Sequence, residues 1–146
     1  MQLSVGPSDP ALHIRTRDHY QAVLRETKLL ALQHDAPSRR LEALGARLER
    51  QFPPSQVEET ADRAYRAGEA IFTATVELPD EWVPAAITAC DQLEALIDEL
   101  DRWAADPEVQ LLPAPPEVRA YLKRYLAQAR QQLHQARPPS RAVPPA

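Results

Sequence analysis

Glycine occurs only three times in this 146-residue chain, at Gly6, Gly45 and Gly68. Glycines so far apart cannot build the Gly-rich loop whose backbone N–H groups close around a phosphate. Cysteine occurs once, at Cys90, which excludes an intrachain disulfide. No stretch approaches the ~18 apolar residues that a membrane span needs, so no membrane partner is expected. The opening Met1-Gln2-Leu3-Ser4-Val5-Gly6-Pro7 has neither the basic region nor the long apolar run of a signal peptide. Lysine is limited to Lys28 and Lys123, and the net charge of −4 lacks the cationic excess that holds nucleic-acid phosphates. These absences lead to the expectation of a cytoplasmic protein that binds no nucleic acid. Aromatic residues are 5% of the chain, so the core must rest on Leu, Ala, Val and Ile.

The residue patterns of catalysis and metal binding are missing as well. Di-iron helical proteins use Glu-x-x-His, but the residues three before His13, His19, His34 and His134 are Pro10, Thr16, Ala31 and Gln131. No two histidines stand four apart, which excludes the helical zinc pair. Cys90 falls on an apolar helical seam and reads as a packed thiol, since a nucleophile needs a lowered pKa and an adjacent base. None of Ser4, Ser8, Ser38, Ser55 and Ser140 sits in a nucleophile elbow. His19, in Asp18-His19-Tyr20, has the helical setting of a phosphorelay histidine. It lacks a phosphate-binding motif and reads as a surface histidine. The chain is therefore expected to hold no catalytic, cofactor or metal site.

The 15 prolines divide what remains. Proline is tolerated in a first helical turn and breaks a helix interior, so the candidate helices are 11–36, 38–52, 55–78, 85–106 and 117–137. The first opens on a Ser8 or Asp9 cap with Pro10 at its first position. Leu12, Tyr20, Val23, Leu24, Leu30 and Ala31 then recur at helical spacing. The second carries Leu41, Leu44, Leu48 and Phe52. The third starts at Ser55 with Glu58 three residues on, a capping box, and is helical through about Ala67. Beyond Gly68 the residues 71–78 are β-branched and aromatic with partial alternation. They predict a short strand whose partner is Gln2-Leu3-Ser4-Val5, with a continued helix as the competing reading. In the fourth helix Ala86, Cys90, Leu93, Ile97, Leu100 and Ala104 form a heptad seam. In the fifth the seam is Val118, Leu122, Tyr125, Ala129 and Leu133. The fold class expected is all-α or nearly so. It is a four- to five-helix bundle over 1–137, with an antiparallel hairpin of the last two helices and an optional two-stranded ribbon. The Pro-rich residues 138–146 are expected to be a disordered tail.

Charge is unevenly spread. Residues 77–108 hold ten acids and one base, and residues 117–146 hold six bases and one acid. Asp91, Glu94, Asp98 and Asp101 line one edge of the fourth helix, and Arg119, Lys123, Arg130 and Arg137 line one edge of the fifth. Two readings follow. The edges face each other and steer the hairpin, or the acidic edge docks a basic partner. Trp82, beside Glu81 and near Pro84, is either packed in the core or at the domain edge, as a large aromatic usually is, or an exposed anchor of the kind enriched in binding hot spots. Ile87, Ala89, Leu96 and Trp103 broaden the fourth helix's stripe beyond what one neighbour covers. A two-fold homodimer would bury the excess, and so would the first three helices in a monomer.

Several stretches, taken together, resemble a group of small actinobacterial proteins. They are Ser8-Asp9-Pro10-Ala11-Leu12-His13, Tyr20-x-x-Val23-Leu24-Arg25-Glu26, Leu29-Leu30-Ala31-Leu32, Glu77-Leu78-Pro79 and Leu111-Leu112-Pro113-Ala114-Pro115-Pro116-Glu117. Such proteins accompany partner-switching regulators: ATPase-like anti-sigma factors, their antagonists and associated phosphatases. The resemblance implies a role in bacterial signalling and carries no catalytic residue with it. The functional expectation is a non-catalytic protein-binding regulator or adaptor. It would work through Trp82 and the acidic edge of Asp91, Glu94, Asp98 and Asp101. The alternative is a helical sensor or carrier of a small molecule, with a cavity lined by Tyr20, Tyr65, Tyr121 and Tyr125.

Overall fold

A computed structural model describes residues 1–32, 56–109 and 111–136, with the single positions 39, 42, 43 and 46. Of the expected helix over 38–52 only those four positions are described, and the Ser55 cap, the Leu30 and Ala31 side chains, Arg137 and the tail from 138 to 146 lie outside the described residues. The elements run in the order β1 (Gln2–Ser8), α1 (Pro10–Ala31), α2 (Gln56–Arg66), β2 (Phe72–Glu77), α3 (Val83–Ala104) and α4 (Pro116–Ala136). A single 3-10 turn over Asp80–Trp82 leads into α3. The fold is helix-dominated with one small antiparallel sheet, so it is mixed rather than all-α. The strand reading of 71–78 holds and the continued helix does not.

Local chemistry explains the boundaries. Asp9, not Ser8, caps α1: its Oδ1 accepts from the Ala11 N–H at 2.8 Å and the Leu12 N–H at 3.4 Å. At the end of α2, the Gly68 N–H donates to the Tyr65 carbonyl at 3.1 Å and the Glu69 N–H to the Ala64 carbonyl at 3.0 Å. Gly68 has a φ of +70°, so the chain leaves the helix through a Schellman turn. The turn sends 72–77 back along β1 in a register that sets Gln2 opposite Glu77, Ser4 opposite Thr75 and Val5 opposite Ala74. A bulge between Val5 and Ser8 interrupts that register.

The apolar faces meet in three clusters. Val5, Val57, Ala61, Ala64, Phe72 and Ala74 join the ribbon to α2. Val23, Ala89, Leu96, Leu100 and Leu111 join α1 to α3. Val83, Ala86 and Leu133 join α3 to α4, with Leu3 of β1 packed against them. Ala89 and Leu96, part of the broad stripe on α3, are thus covered within one chain by Val23, with Tyr20 and Leu24 against the same cluster. The buried line of α1 is His13, Thr16, Val23 and Thr27, whereas Leu12, Tyr20 and Leu24 are only half-buried. Two threonines can sit in a core because each hydroxyl returns to its own helix. Thr16 donates to the Leu12 carbonyl and Thr27 to the Leu24 carbonyl, both at 2.8 Å.

Candidate functional site

The acidic edge of α3 lies against the basic edge of α4. Arg119 pairs with Asp101 at 2.8 Å, Lys123 with Asp98 at 2.8 Å, and Arg130 with Asp91 at 3.0 Å and also with Glu94. As the basic position advances along α4 its acidic partner recedes along α3, the mark of an antiparallel hairpin. The Lys123 ammonium, hydrogen-bonded to it, holds the Asp98 carboxyl below its ordinary range. All four carboxylates named from the sequence are therefore engaged inside the chain. Exposed pairs of this kind contribute ~0.2–1 kcal/mol each, so they select the helix register more than they hold the fold.

Trp82 stands apart from that ladder. It ends the 3-10 turn, whose Trp82 N–H donates to the Pro79 carbonyl at 2.9 Å. The next residue, Val83, is fully packed in the α3–α4 cluster. The backbone under the indole is thus anchored while Trp82 itself is 59% exposed. Asp80 and Glu81 beside it are also exposed. The Asp80 carboxylate is not free, since its Oδ1 accepts from the Met1 ammonium at 2.8 Å, which leaves Glu81 as the acidic neighbour of an exposed aromatic.

A third feature escaped the sequence reading. His13 is buried where α1, β2 and α4 meet. Its Nδ1 shares a hydrogen bond of 2.8 Å with the Tyr121 hydroxyl. Its ring is edge-on to Phe72 at 5.2 Å and to Tyr121 at 5.8 Å, with Tyr125 at 6.0 Å. His13 Nε2 is buried and has no hydrogen-bond partner among the described residues. The available signal was positional: His13 shares a helical face with Thr16, Val23 and Thr27, but polar residues do not enter an apolar count.

Burial lowers the His13 pKa below its ordinary 6.5, with Arg17 adding to the effect and Glu58 and Asp62 opposing it. The unfolded chain binds this proton at a higher pH than the folded chain. The His13 contribution to stability is accordingly constant above about pH 7 and falls as the pH drops below the unfolded value. Burial shifts His19 the same way. Urea unfolding measured from pH 7.5 to 5 should show stability declining with acid. His13→Gln should flatten that decline while lowering stability at neutral pH, because it gives up the ring packing. An unchanged acid slope in His13→Gln would remove His13 as its source.

The remaining candidates separate. Cys90 is half-buried, and burial pushes its thiol pKa up, away from a nucleophile's range. His19 lies edge-on to Tyr20 at 5.1 Å. Tyr20 packs in the α1–α3 cluster, Tyr125 packs against the α2–ribbon cluster and Tyr65 is exposed, so these tyrosines do not line one cavity. The crevice beside His19 and Tyr20, bounded by Leu100 and Leu111, has a volume of about 10 Å³, room for roughly one water. A larger depression of about 390 Å³ lies on α2 among Glu59, Asp62, Arg63 and Arg66. Among the described residues no three His, Cys, Asp or Glu side chains gather as metal ligands, and no helix is long and apolar enough to cross a membrane. No family model, no curated protein and no solved structure matches the chain.

Proposed function

We propose that this protein is a protein-binding regulator or adaptor in bacterial signalling, and that it docks its partner through Trp82. The observation that supports this reading is an indole 59% exposed on a backbone fixed by the turn hydrogen bond and by the adjoining buried Val83. An exposed tryptophan on a rigid base gains large apolar burial on binding and loses little conformational freedom. The exposed Glu81 favours a partner with an apolar pocket flanked by a basic side chain, whereas Asp80 is already paired with the Met1 ammonium. Asp91, Glu94, Asp98 and Asp101 are paired with α4 and serve the α3–α4 hairpin.

The test compares proteins captured from source cells by wild-type chain, Trp82→Ala and Trp82→Phe, quantified by mass spectrometry. Loss of a hot-spot tryptophan costs about 2 kcal/mol or more, roughly thirtyfold in affinity. A specific protein should be retained by wild type, partly retained by Trp82→Phe and lost from Trp82→Ala, with the circular dichroism of all three alike. Identical captured sets from wild type and Trp82→Ala, or a stoichiometric small molecule in place of a protein, would contradict the proposal.

A further inference from the structure

The two edges of the β1–β2 ribbon are finished differently. On β1 the outward backbone groups are satisfied by α4. The Ser4 N–H donates to Gln132 Oε1 at 2.8 Å, Gln132 Nε2 donates to the Ser4 carbonyl at 2.7 Å, and Gln128 Nε2 donates to the Gly6 carbonyl at 2.9 Å. Two side-chain amides stand in for a neighbouring strand. The phase of the ladder follows from the Leu78 N–H, which donates to the Met1 carbonyl at 2.9 Å. Alternate residues therefore turn toward β1, and the backbone groups of Thr73, Thr75 and Glu77 point away from it. Among the described residues nothing hydrogen-bonds the outward groups of Thr73 and Thr75, and both residues are exposed. Open strand edges are ordinarily blunted by lysine, proline or a bulge. β2 has no lysine, proline or bulge of its own, and its one charged residue, Glu77, stands at its end.

We infer that β2 pairs antiparallel with β2 of a second copy of this chain, across a two-fold axis at Thr75, to make one four-stranded sheet. The strand is complementary to itself in that register. Thr75 faces Thr75 of the copy, a favourable cross-strand pair. Thr73 faces Glu77 of the copy, so no like charges are opposed. Each facing pair exchanges two backbone hydrogen bonds. Ile71, 62% exposed, comes opposite the exposed Pro79 of the copy, at the start of the turn that carries Trp82. On the inner face, Ala74 comes opposite Val76, so the apolar surface under α2 continues from one copy to the other. The same axis runs α2 antiparallel to its copy. That directs the acidic first turn, with Glu59, toward the basic last turn, with Arg63 and Arg66. An isologous contact of this kind closes as a dimer and leaves only the amide-blocked β1 edges outside. The inference does not rest on the adaptor reading.

The test is the assembly mass by light scattering and sedimentation from roughly 1 µM to 1 mM, with variants at Thr75. The Thr75 side chain is exposed and its own N–H lies outside the β1–β2 ladder, so Thr75→Lys leaves the monomer fold intact by circular dichroism. Wild type should form a dimer, and Thr75→Lys should weaken it more than about tenfold by opposing two cations on the axis. An equimolar mixture of Thr75→Lys and Thr75→Glu should restore it. Amide exchange at Thr73, Thr75 and Glu77 should slow with wild-type concentration. A monomer at every concentration overturns the inference. So does a dimer indifferent to Thr75→Lys, which would place the interface elsewhere.

Discussion

Gly6→Ala is expected to destabilise the protein by about 3 kcal/mol or more, measured by urea unfolding. Gly6 lies in the bulge of β1 with a φ of +103°. A residue with a side chain in such a region costs roughly 1–3 kcal/mol in backbone strain. An added Cβ would also stand 2.5 Å from the Phe72 carbonyl oxygen, 3.2 Å from the Ser8 nitrogen and 3.3 Å from the Thr73 Cα. All three are backbone atoms, so no side chain can swing aside, and overpacking of this kind adds roughly 1–3 kcal/mol. Gly68→Ala is the control. Its φ is +70° and nothing lies within 4 Å of the new atom, so only the conformational cost of about 1–2 kcal/mol applies. Equal losses at the two glycines would mean that Gly6 is not crowded by β2.

Leu133→Ala should cost about 2–5 kcal/mol through the lost transfer energy and the void left behind. Leu133 is 1% exposed in the cluster where α4 meets Val83 and Ala86 of α3, with Leu3 of β1 and Leu78, just after β2, packed against that cluster. The neighbours come from several separate segments, so collapse around the gap would require them all to move. The unfolding midpoint should drop with an unchanged denaturant slope. Leu112→Ala, at a residue 60% exposed, should stay within about 0.5 kcal/mol of wild type. A small effect at Leu133 would mean that α4 does not pack against this cluster.

Much of this arrangement was legible in the residues alone, because the signals were local. Pro10 and Asp9 start α1, Gly68 ends α2, and the β-branched stretch 71–78 with Gln2–Val5 forms the ribbon. The opposite charges of α3 and α4 pair as one of the two readings required. What could not be read depends on distant neighbours. Gly6 matters because of the Phe72 carbonyl that the ribbon brings beside it. The core line of α1 was read in part: Val23, with Tyr20 and Leu24 against its cluster, was named, and His13, Thr16 and Thr27 were missed because they are polar types. Their burial depends on Tyr121 and on backbone carbonyls for partners. Trp82 was left between core and surface, since its exposure depends on how the turn after β2 meets α3. The blocked edge of β1 and the open edge of β2 follow from Gln128 and Gln132, which carry no strand signal at all.

In the proposed adaptor the acidic residues of α3 set the register of the hairpin, and Trp82, apart from them, meets the partner. The double variant Asp91→Asn/Glu94→Gln tests that division most directly, scored together for thermal midpoint and for the set of captured proteins. Losing both partners of Arg130 should remove about 1 kcal/mol, roughly 3 °C, and leave the captured set as it is in wild type. An unchanged midpoint with the captured proteins lost would contradict the account and assign the acidic edge to the partner.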